Sequence, residues 1–236
     1  MYGKSKRKVL SGFNPVLGDL YSVISLTGET EDEVYSILGV SFEENEKKLL
    51  ERYSATKNAP FLHIVYYHRL VKSFWYRNYE SAVEYCEKCT TLGGANNLLR
   101  ITDINALFFG GLSSLILSRK KKQKELMAQG EDSLSRMQNW AQLGCKWNAE
   151  NKALLLEAEV YFAKGDSAKA KNAYERSLVS AHKHKFIHEE ALAYELYGIF
   201  CVEEGNLCDG NDMLEKAREL YDQWGAKKKA GFIFPL

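Results

Sequence analysis

The chain has 236 residues, of which 45% are hydrophobic and 27% charged, and its formal net charge is +1. This composition is typical of a globular protein and excludes a disordered or fibrous chain. A charge so close to neutral also provides no general attraction to nucleic acid or to acidic lipid. Only three prolines occur, at Pro15, Pro60 and Pro235, so no proline interrupts a helix between the last two. We therefore expect an all-α fold.

The cysteines and the first residues bear on the cellular compartment. Five cysteines are scattered along the chain, and an odd number without regular spacing does not suggest a disulfide framework. The N-terminal stretch is basic but has no continuous apolar core, since Asn14, Pro15 and Asp19 interrupt it. These features favour a reducing, cytoplasmic location. The absence of acidic residues before Asp19 leaves an organelle presequence as the alternative.

Residues 1–60 are the least regular part of the chain and are expected to form a segment with short helices. Thr30–Glu33 and Ser41–Glu44 each place a hydroxyl three residues before a carboxylate. This capping-box pattern occurs at helix starts, where the two side chains satisfy free backbone N–H groups. It predicts short helices near 31–38 and 42–55.

A repeat is visible in the second half of the chain. The stretch NKALLLEAEVYFAKGDSAKAKNAYERSL at 151–178 and the stretch AYELYGIFCVEEGNLCDGNDMLEKA at 193–217 share large, small and aromatic positions around a glycine turn. Every matched position is displaced by the same interval, which for the two turn glycines is 205 − 165 = 40. The matched pairs are Leu154/Tyr194, Ala158/Gly198, Tyr161/Cys201, Gly165/Gly205, Ala170/Gly210, Tyr174/Leu214 and Ser177/Ala217. This arrangement is typical of the tetratricopeptide repeat (TPR), in which small residues let two antiparallel helices approach closely.

The repeat extends upstream and defines a predicted domain at 61–230. RNYESAVEYCEKC at 77–89 has the pattern of a second TPR helix, and residues 61–76 would form its first helix. Two further helices are predicted at roughly 100–118 and 122–144. The period of the repeat is longer than the usual ~34 residues, so the units must have longer helices or a longer loop between repeats. The predicted fold is a TPR-like α-solenoid of antiparallel helix pairs.

The longest apolar run, INALFFGGLSSLIL at 104–117, is followed by the basic sequence SRKKKQKE. As an α-helix this run would be about 21 Å long, which is shorter than the ~30 Å hydrocarbon layer of a membrane. Gly110 and Gly111 would each weaken the helix by roughly 1 kcal/mol, which is reasonable only where a neighbouring helix contacts the bare backbone. We therefore expect a buried first helix of a helix pair; a membrane helix and a homodimer face built on the two glycines are the alternatives. The basic runs Arg119–Lys124 and Lys227–Lys229 are expected to be exposed, with a nuclear-localisation or anion-binding role for the first run as the alternative.

Motifs for catalysis or metal binding are incomplete in this sequence. Cys86–Cys89 is a C-x-x-C, but no second Cys or His pair lies at the spacing that a zinc site needs, and the motif falls inside a predicted helix. Gly3–Ser5 matches only the end of a phosphate-binding loop, and His188–Glu190 lacks the second histidine of a zinc-protease helix. We therefore expect no enzyme activity, no catalytic residue, no metal site and no cofactor.

The last part of the predicted domain resembles a known family. Residues 186–230 include a HEEALA helix start at His188–Ala193 and a helix that ends in Y-x-x-WGA at Tyr221–Ala226. These motifs are similar to those of the TPR-like helical region of large multidomain signalling proteins, which combine a STAND-type (AAA-like) ATPase with serine/threonine kinase, GAF and histidine kinase modules. The similarity extends over residues 61–230. The resemblance implies a scaffold or a regulatory arm rather than a catalyst, and this chain carries none of the catalytic modules.

The sequence thus predicts a protein–protein interaction scaffold of the TPR type, whose first helices would line a groove for a protein or peptide ligand. The predicted groove residues are Lys152, Leu155, Glu159, Phe162, Glu195, Ile199 and Val202. The alternative is a regulatory or sensor fragment of a larger signalling ATPase or histidine kinase. Nucleic-acid binding through Lys120–Lys124 is a third hypothesis, and no membrane contact is expected. The apolar residues 231–236 are predicted to be a C-terminal docking tail or a simple terminus.

Overall fold

The computed structural model describes residues 26–27, 42–93 and 101–234, and every regular element within these ranges is a helix, which confirms the all-α prediction. The helices are α1 (Phe42–Ala55), α2 (Ala59–Trp75), α3 (Tyr79–Gly93), α4 (Ile101–Lys121), α5 (Lys124–Trp140), α6 (Lys146–Ala163), α7 (Ser167–Lys183), α8 (Ile187–Glu203), α9 (Leu207–Trp224) and α10 (Lys227–Gly231). A π-helical segment, Ala141–Cys145, joins α5 to α6. The helix predicted near 31–38 and the Gly3–Ser5 motif lie outside the described residues.

Consecutive helices pack as pairs. α2 packs chiefly against α3, α4 against α5, α6 against α7 and α8 against α9, and each pair also contacts the next one. Short turns join the two helices of these pairs, which makes the partners antiparallel. The helices predicted at 61–76, 77–89, 100–118 and 122–144 correspond to α2, α3, α4 and α5, with ends shifted by a few residues.

The repeat is visible in the positions of the turns. The left-handed backbone conformation, with positive φ, occurs at Gly165, Lys185, Gly205 and Gly225, which follow one another at equal intervals along the chain. The turns within the helix pairs, at Gly165 and Gly205, are 205 − 165 = 40 residues apart. The turns that follow a helix pair, at Lys185 and Gly225, are also 225 − 185 = 40 residues apart. Helices α7 and α8 are each 17 residues long, and the turns that connect α6, α7, α8 and α9 are short. Longer helices, and not a longer loop between repeats, account for the long period.

Small residues lie where the paired helices cross, as the repeat pattern predicts. Ala158 of α6 and Ala170 of α7 are fully buried. At the matched crossing of α8 and α9, a Cβ atom on Gly198 would lie 2.7 Å from Leu214 Cγ and 3.0 Å from the backbone oxygen of Gly210. Contacts this short leave no space for a methyl group, so the separation of the two helices depends on these glycines.

The apolar run at 104–117 is part of α4 and lies inside the helix stack. Residues 108–118 are buried without interruption. A Cβ atom on Gly110 would lie 2.1 Å from Cys86 Sγ in α3, and one on Gly111 would lie 2.5 Å from Ser133 Cβ in α5. Helices therefore contact the bare backbone on two sides, and the prediction of a buried first helix is confirmed. Nowhere in the described part of the chain is a helix both long and apolar enough to cross a membrane.

The first and last helix pairs meet at the end of α2. Lys229 Nζ in α10 donates a hydrogen bond to the backbone oxygen of Trp75 at 2.8 Å, and the Tyr76 ring packs edge-on against Phe232 at 5.2 Å. Ile233, within the predicted tail 231–236, is completely buried. The C-terminal segment therefore packs against the end of α2. The side of the structure to which the first helices α2, α4, α6 and α8 contribute is called the inner face below.

The two basic runs are only partly exposed, in contrast to the prediction. Lys120–Lys124 are exposed, with Lys122 and Gln123 forming the connection between α4 and α5, whereas the side chain of Arg119 turns inward. In the second run, Lys227 and Lys228 are exposed but Lys229 is only 1% exposed. Both inward cations have buried carboxylate partners, which offsets the cost of removing the charge from water.

Candidate functional site

A cavity of about 480 Å³ lies on the inner face. All four first helices contribute to its wall, together with Leu26, Thr27 and the end of α9. The side chains that give the wall its apolar and aromatic character are Tyr67, Val71, Trp75, Phe108, Phe109, Leu192 and Trp224. Asn105, His68, Lys152, His188 and Glu189 supply the polar groups of the wall. A mostly aromatic cleft with a few placed polar groups is the usual form of a ligand site.

The charged groups of this cavity form a neutral pair. Lys152 Nζ donates hydrogen bonds to Glu189 Oε1 and, at 3.0 Å, to the backbone oxygen of Asn148, while Asn151 donates to Glu189 Oε2. Burial raises the pKa of Glu189, but His188 and the Lys152 ammonium outweigh it and hold the pKa below its ordinary value. The carboxylate therefore stays ionised and paired, and the cavity offers no strong net charge to a ligand.

An aromatic strip leads from the cavity to the protein surface. It consists of Trp147, Phe186, His188 and Trp224, of which the last two also line the cavity. The ring centroids are 6.0 Å apart for Trp147 and Phe186, 6.4 Å for Phe186 and His188, and 5.2 Å for His188 and Trp224. Trp147 is 58% exposed. A large apolar ring so exposed at the edge of a cavity is available to a binding partner.

A second cavity, of about 220 Å³, lies near the C-terminal end of α4. Arg119 Nη1 donates to Glu159 Oε2 at 2.8 Å, and its guanidinium lies 3.8 Å from the ring centroid of Phe162. Tyr174 donates to the other oxygen of Glu159 at 2.6 Å. Glu203 accepts two further hydrogen bonds from Arg119. These charged side chains pair with one another and thereby stabilise the wall of the second cavity.

A third cluster joins the two ends of the helix stack around Glu195. Arg77 Nη2 and Lys229 Nζ donate to Glu195 Oε1 at 2.9 and 2.8 Å, and Tyr221 donates to Oε2 at 2.8 Å. Burial acts against ionisation of Glu195, but the Lys229 and Arg77 cations lower its pKa below the ordinary value. Burial also lowers the pKa of Lys229. These contacts connect the turn after α2 with α8, α9 and α10.

The seven predicted groove residues occupy three different environments. Lys152 lines the first cavity, and Glu159, Ile199 and Val202 line the second one. Leu155, Phe162 and Glu195 are buried and line neither cavity. Two of the predicted carboxylates, Glu159 and Glu195, are held by internal cations. The structure thus does not bring the seven residues together in one open groove; the space on the inner face lies closer to the start of α8.

Sequence reasoning missed Trp75, His188 and Trp224 as site residues. His188 was assigned only to a helix start, although it stacks on Trp224 at the cavity. The two tryptophans are brought together by the contact between the first and last helix pairs, their ring centroids being 6.2 Å apart. Neither segment contains a local sequence pattern that predicts this contact. The sequence feature that could have indicated this part of the site is the run of aromatic residues at Phe74–Tyr76.

Cys86 of the C-x-x-C motif lies in α3 and lines neither cavity. Burial raises the pKa of the Cys86 thiol to about 11, which keeps it protonated at neutral pH. Within the ranges that the structure describes, no three His, Cys, Asp or Glu side chains converge in a way that could hold a metal ion.

The fold defines an all-α protein built from successive helix pairs. Searches against protein-family models, curated proteins and solved structures found no match to this chain.

Proposed function

We propose that this protein is a non-catalytic, TPR-like scaffold that binds a segment of another protein in the cavity of its inner face. The observation that carries the proposal is the ~480 Å³ cavity to which α2, α4, α6 and α8 all contribute. Helix-pair arrays commonly present their first helices as a concave binding surface. The odd number and irregular spacing of the cysteines, which do not suggest a disulfide framework, support a cytoplasmic location as part of the same proposal.

The size of the cavity suits a few anchoring side chains rather than a whole helix. An α-helix with its side chains is roughly 10 Å across, whereas a leucine or phenylalanine side chain fits into a cleft of this volume. Each large apolar side chain moved from water into such a site contributes about 1.5–3 kcal/mol. Two or three anchors, with hydrogen bonds at the rim, can reach the ~8 kcal/mol of a micromolar complex only if the site is largely preformed.

The test is to fill the cavity without disturbing the core. Val71 lines the cavity and is half-buried, so Val71→Phe should occupy ligand space while the helix remains intact. Val179→Phe is the matched control, because Val179 is 69% exposed on α7. Affinity purification with quantitative mass spectrometry should show partners that are retained by the wild type and by Val179→Phe but lost by Val71→Phe. Equal capture by all three proteins would show that the cavity is not the binding site.

A regulatory arm of a larger signalling ATPase or histidine kinase is the second candidate. It is favoured by the position of the family-like motifs: HEEALA contributes His188, Glu189 and Leu192 to the cavity wall, and the WGA motif contributes Trp224. The similarity therefore falls on the candidate site and not only on helix-packing positions. An ATPase module encoded in frame before Met1 would favour this candidate over a separate scaffold.

A further inference from the structure

The aromatic strip lies in a basic surrounding. Lys183 and Lys185 flank the turn that carries Phe186, and Lys227 and Lys228 follow Trp224 closely in the chain. All four lysines are exposed, and among the described residues none of them has an ion-pair partner. Unpaired exposed ammonium groups beside an apolar surface attract a partner of opposite charge.

The nearby carboxylates cancel only part of this charge. Glu150 already contacts Lys146 at 3.6 Å, and Glu190 contacts His182 at 3.0 Å. Glu189 is buried against Lys152. The remaining exposed acidic residue next to the strip in the chain is Asp222, set against four lysines. The residues that neighbour the strip in the chain therefore carry more positive than negative charge, although the whole chain is nearly neutral.

We propose that the aromatic strip and its lysines receive an acidic peptide segment of a partner protein that carries one large apolar side chain. The apolar side chain packs against Trp147 and Phe186 or enters the cavity past Trp224, and the acidic residues face Lys183, Lys185, Lys227 and Lys228. This inference rests on the proposed function and adds the chemistry of the bound segment. It also places the entry to the cavity at the start of α8.

The ring geometry favours a peptide over single-stranded nucleic acid. Bases bind such surfaces by stacking on free aromatic faces. Here the rings stack on one another, with interplanar angles of 22° for Trp147 and Phe186 and 25° for His188 and Trp224. Each of these rings therefore has at least one face covered by its neighbour. Aliphatic and aromatic side chains can still pack against the exposed edges and outer faces.

The first experiment selects ligands from a random peptide library displayed on phage, with the full-length chain as bait at low salt. The expected result is enrichment of peptides that have a net negative charge and at least one Leu, Phe or Trp. Their synthetic versions should bind Trp147→Ser at least about tenfold more weakly than wild type. Leu207→Ser, which removes another exposed apolar side chain, should bind as the wild type does. Enrichment of neutral or basic peptides, no enrichment, or binding unchanged in Trp147→Ser would overturn the proposal.

The second experiment tests the charges with a matched pair of variants. Lys185 and Lys122 are both exposed turn lysines with positive φ, so Lys185→Glu and Lys122→Glu change the net charge equally and in the same backbone conformation. The selected peptides should lose several-fold affinity for Lys185→Glu and little for Lys122→Glu. Added salt should weaken wild-type binding. Equal losses in both variants would contradict the assigned surface.

The two proposals fail in distinguishable ways. If Val71→Phe abolishes peptide binding while Trp147→Ser and Lys185→Glu leave it intact, the cavity binds ligand and the strip does not. If the strip variants abolish binding and Val71→Phe leaves it intact, the strip is a surface site separate from the cavity. Fluorescein-labelled oligothymidine is the nucleic-acid probe, and binding of it that is lost in Trp147→Ser would assign the strip to nucleic acid and overturn the peptide proposal.

Discussion

The two halves of this molecule reach the same architecture by different means. In the half formed by α6–α9, the positive-φ turn residues follow one another at equal intervals, so helix and turn repeat with a constant length. In the half formed by α2–α5, the corresponding turn residues Arg77 and Lys122 are separated by a different interval, 122 − 77 = 45. Helix α4 is longer, with 21 residues, and a π-helical segment follows α5. Packing of helix pairs therefore does not require a constant repeat length.

Glycines also permit close helix contacts in the irregular half. Gly110 lies against Cys86, Gly111 against Ser133, and a Cβ atom on Gly130 would lie 2.3 Å from Leu115 Cγ. In the regular half the same role is divided between alanine and glycine at positions that the repeat matches. Sequence self-similarity consequently identifies both helix pairs of the regular half. In the irregular half only residues 77–89 match the repeat, and the other helices are recognisable by composition and helix periodicity.

The contact between the halves should be the most sensitive point of the fold. Glu195→Ala leaves the Arg77 and Lys229 cations buried without their carboxylate, and such a loss costs about 3–5 kcal/mol. We expect this loss in the free energy of unfolding measured by urea denaturation. Glu215→Ala, which breaks an exposed pair within α9, is the control and should leave stability close to that of the wild type. Similar values for both variants would mean that the buried cluster does not hold the halves together.

Acid should weaken the regular half and its contact with α2. The pKa values of Glu189 and Glu195 lie below the ordinary value of 4.5 because nearby cations outweigh the effect of burial. In the unfolded chain these carboxyl groups become protonated near pH 4.5, whereas in the folded protein they become protonated only at lower pH. Their contribution to the free energy of unfolding is therefore complete above pH 4.5 and is lost as the pH falls below it. The measurement is the free energy of unfolding between pH 7 and pH 3. The variant Glu195→Gln should show a shallower decline than the wild type, and an equal decline would contradict the assignment.

Most of the fold could be predicted from the sequence because the pairing of helices depends on local sequence patterns. Three features of the sequence each influence only the residues close to them in the chain. They are the absence of proline between Pro60 and Pro235, the capping box at Ser41–Glu44 and the small residues at Ala158 and Ala170. Each of them was visible without the structure. The length of INALFFGGLSSLIL likewise argued for a buried helix, and its glycines predicted the close contacts that the structure shows at Gly110.

The candidate site was less predictable because it depends on contacts between distant segments. Assigning groove positions by repeat register placed Glu159 and Glu195 on the ligand side, but each carboxylate meets a cation from a distant part of the chain. The same holds for Lys229, whose partner oxygen belongs to Trp75. A basic run looks uniform in sequence, and only the three-dimensional position of a carboxylate decides which lysine is buried.

A single added methyl group would disrupt the close contact between α3 and α4 in the irregular half. In Gly110→Ala the new Cβ atom would lie 2.1 Å from Cys86 Sγ and 2.8 Å from Cys86 Cβ, so α3 and α4 must separate. Overpacking of this kind costs typically about 1–3 kcal/mol. Gly231→Ala adds a methyl group with no atom within 4 Å and should leave thermal stability unchanged. Adding Cys86→Ala to Gly110→Ala should recover only part of the loss, since the Cβ contact remains, and a full recovery would locate the strain in the sulfur alone.

The smallest expected effect concerns the turns that make the regular half regular. Gly205 and Lys185 occupy the same left-handed conformation, with φ of 86° and 58°, but only glycine adopts it without a steric cost. Gly205→Ala should therefore lose about 1 kcal/mol, and Lys185→Gly should gain up to about 1 kcal/mol, in urea unfolding. Opposite signs at two turns that share this backbone conformation would show that the conformation, and not the residue found there, is what the repeat maintains. If Lys185→Gly instead destabilises the protein, the Lys185 side chain makes a stabilising contribution that outweighs its backbone strain.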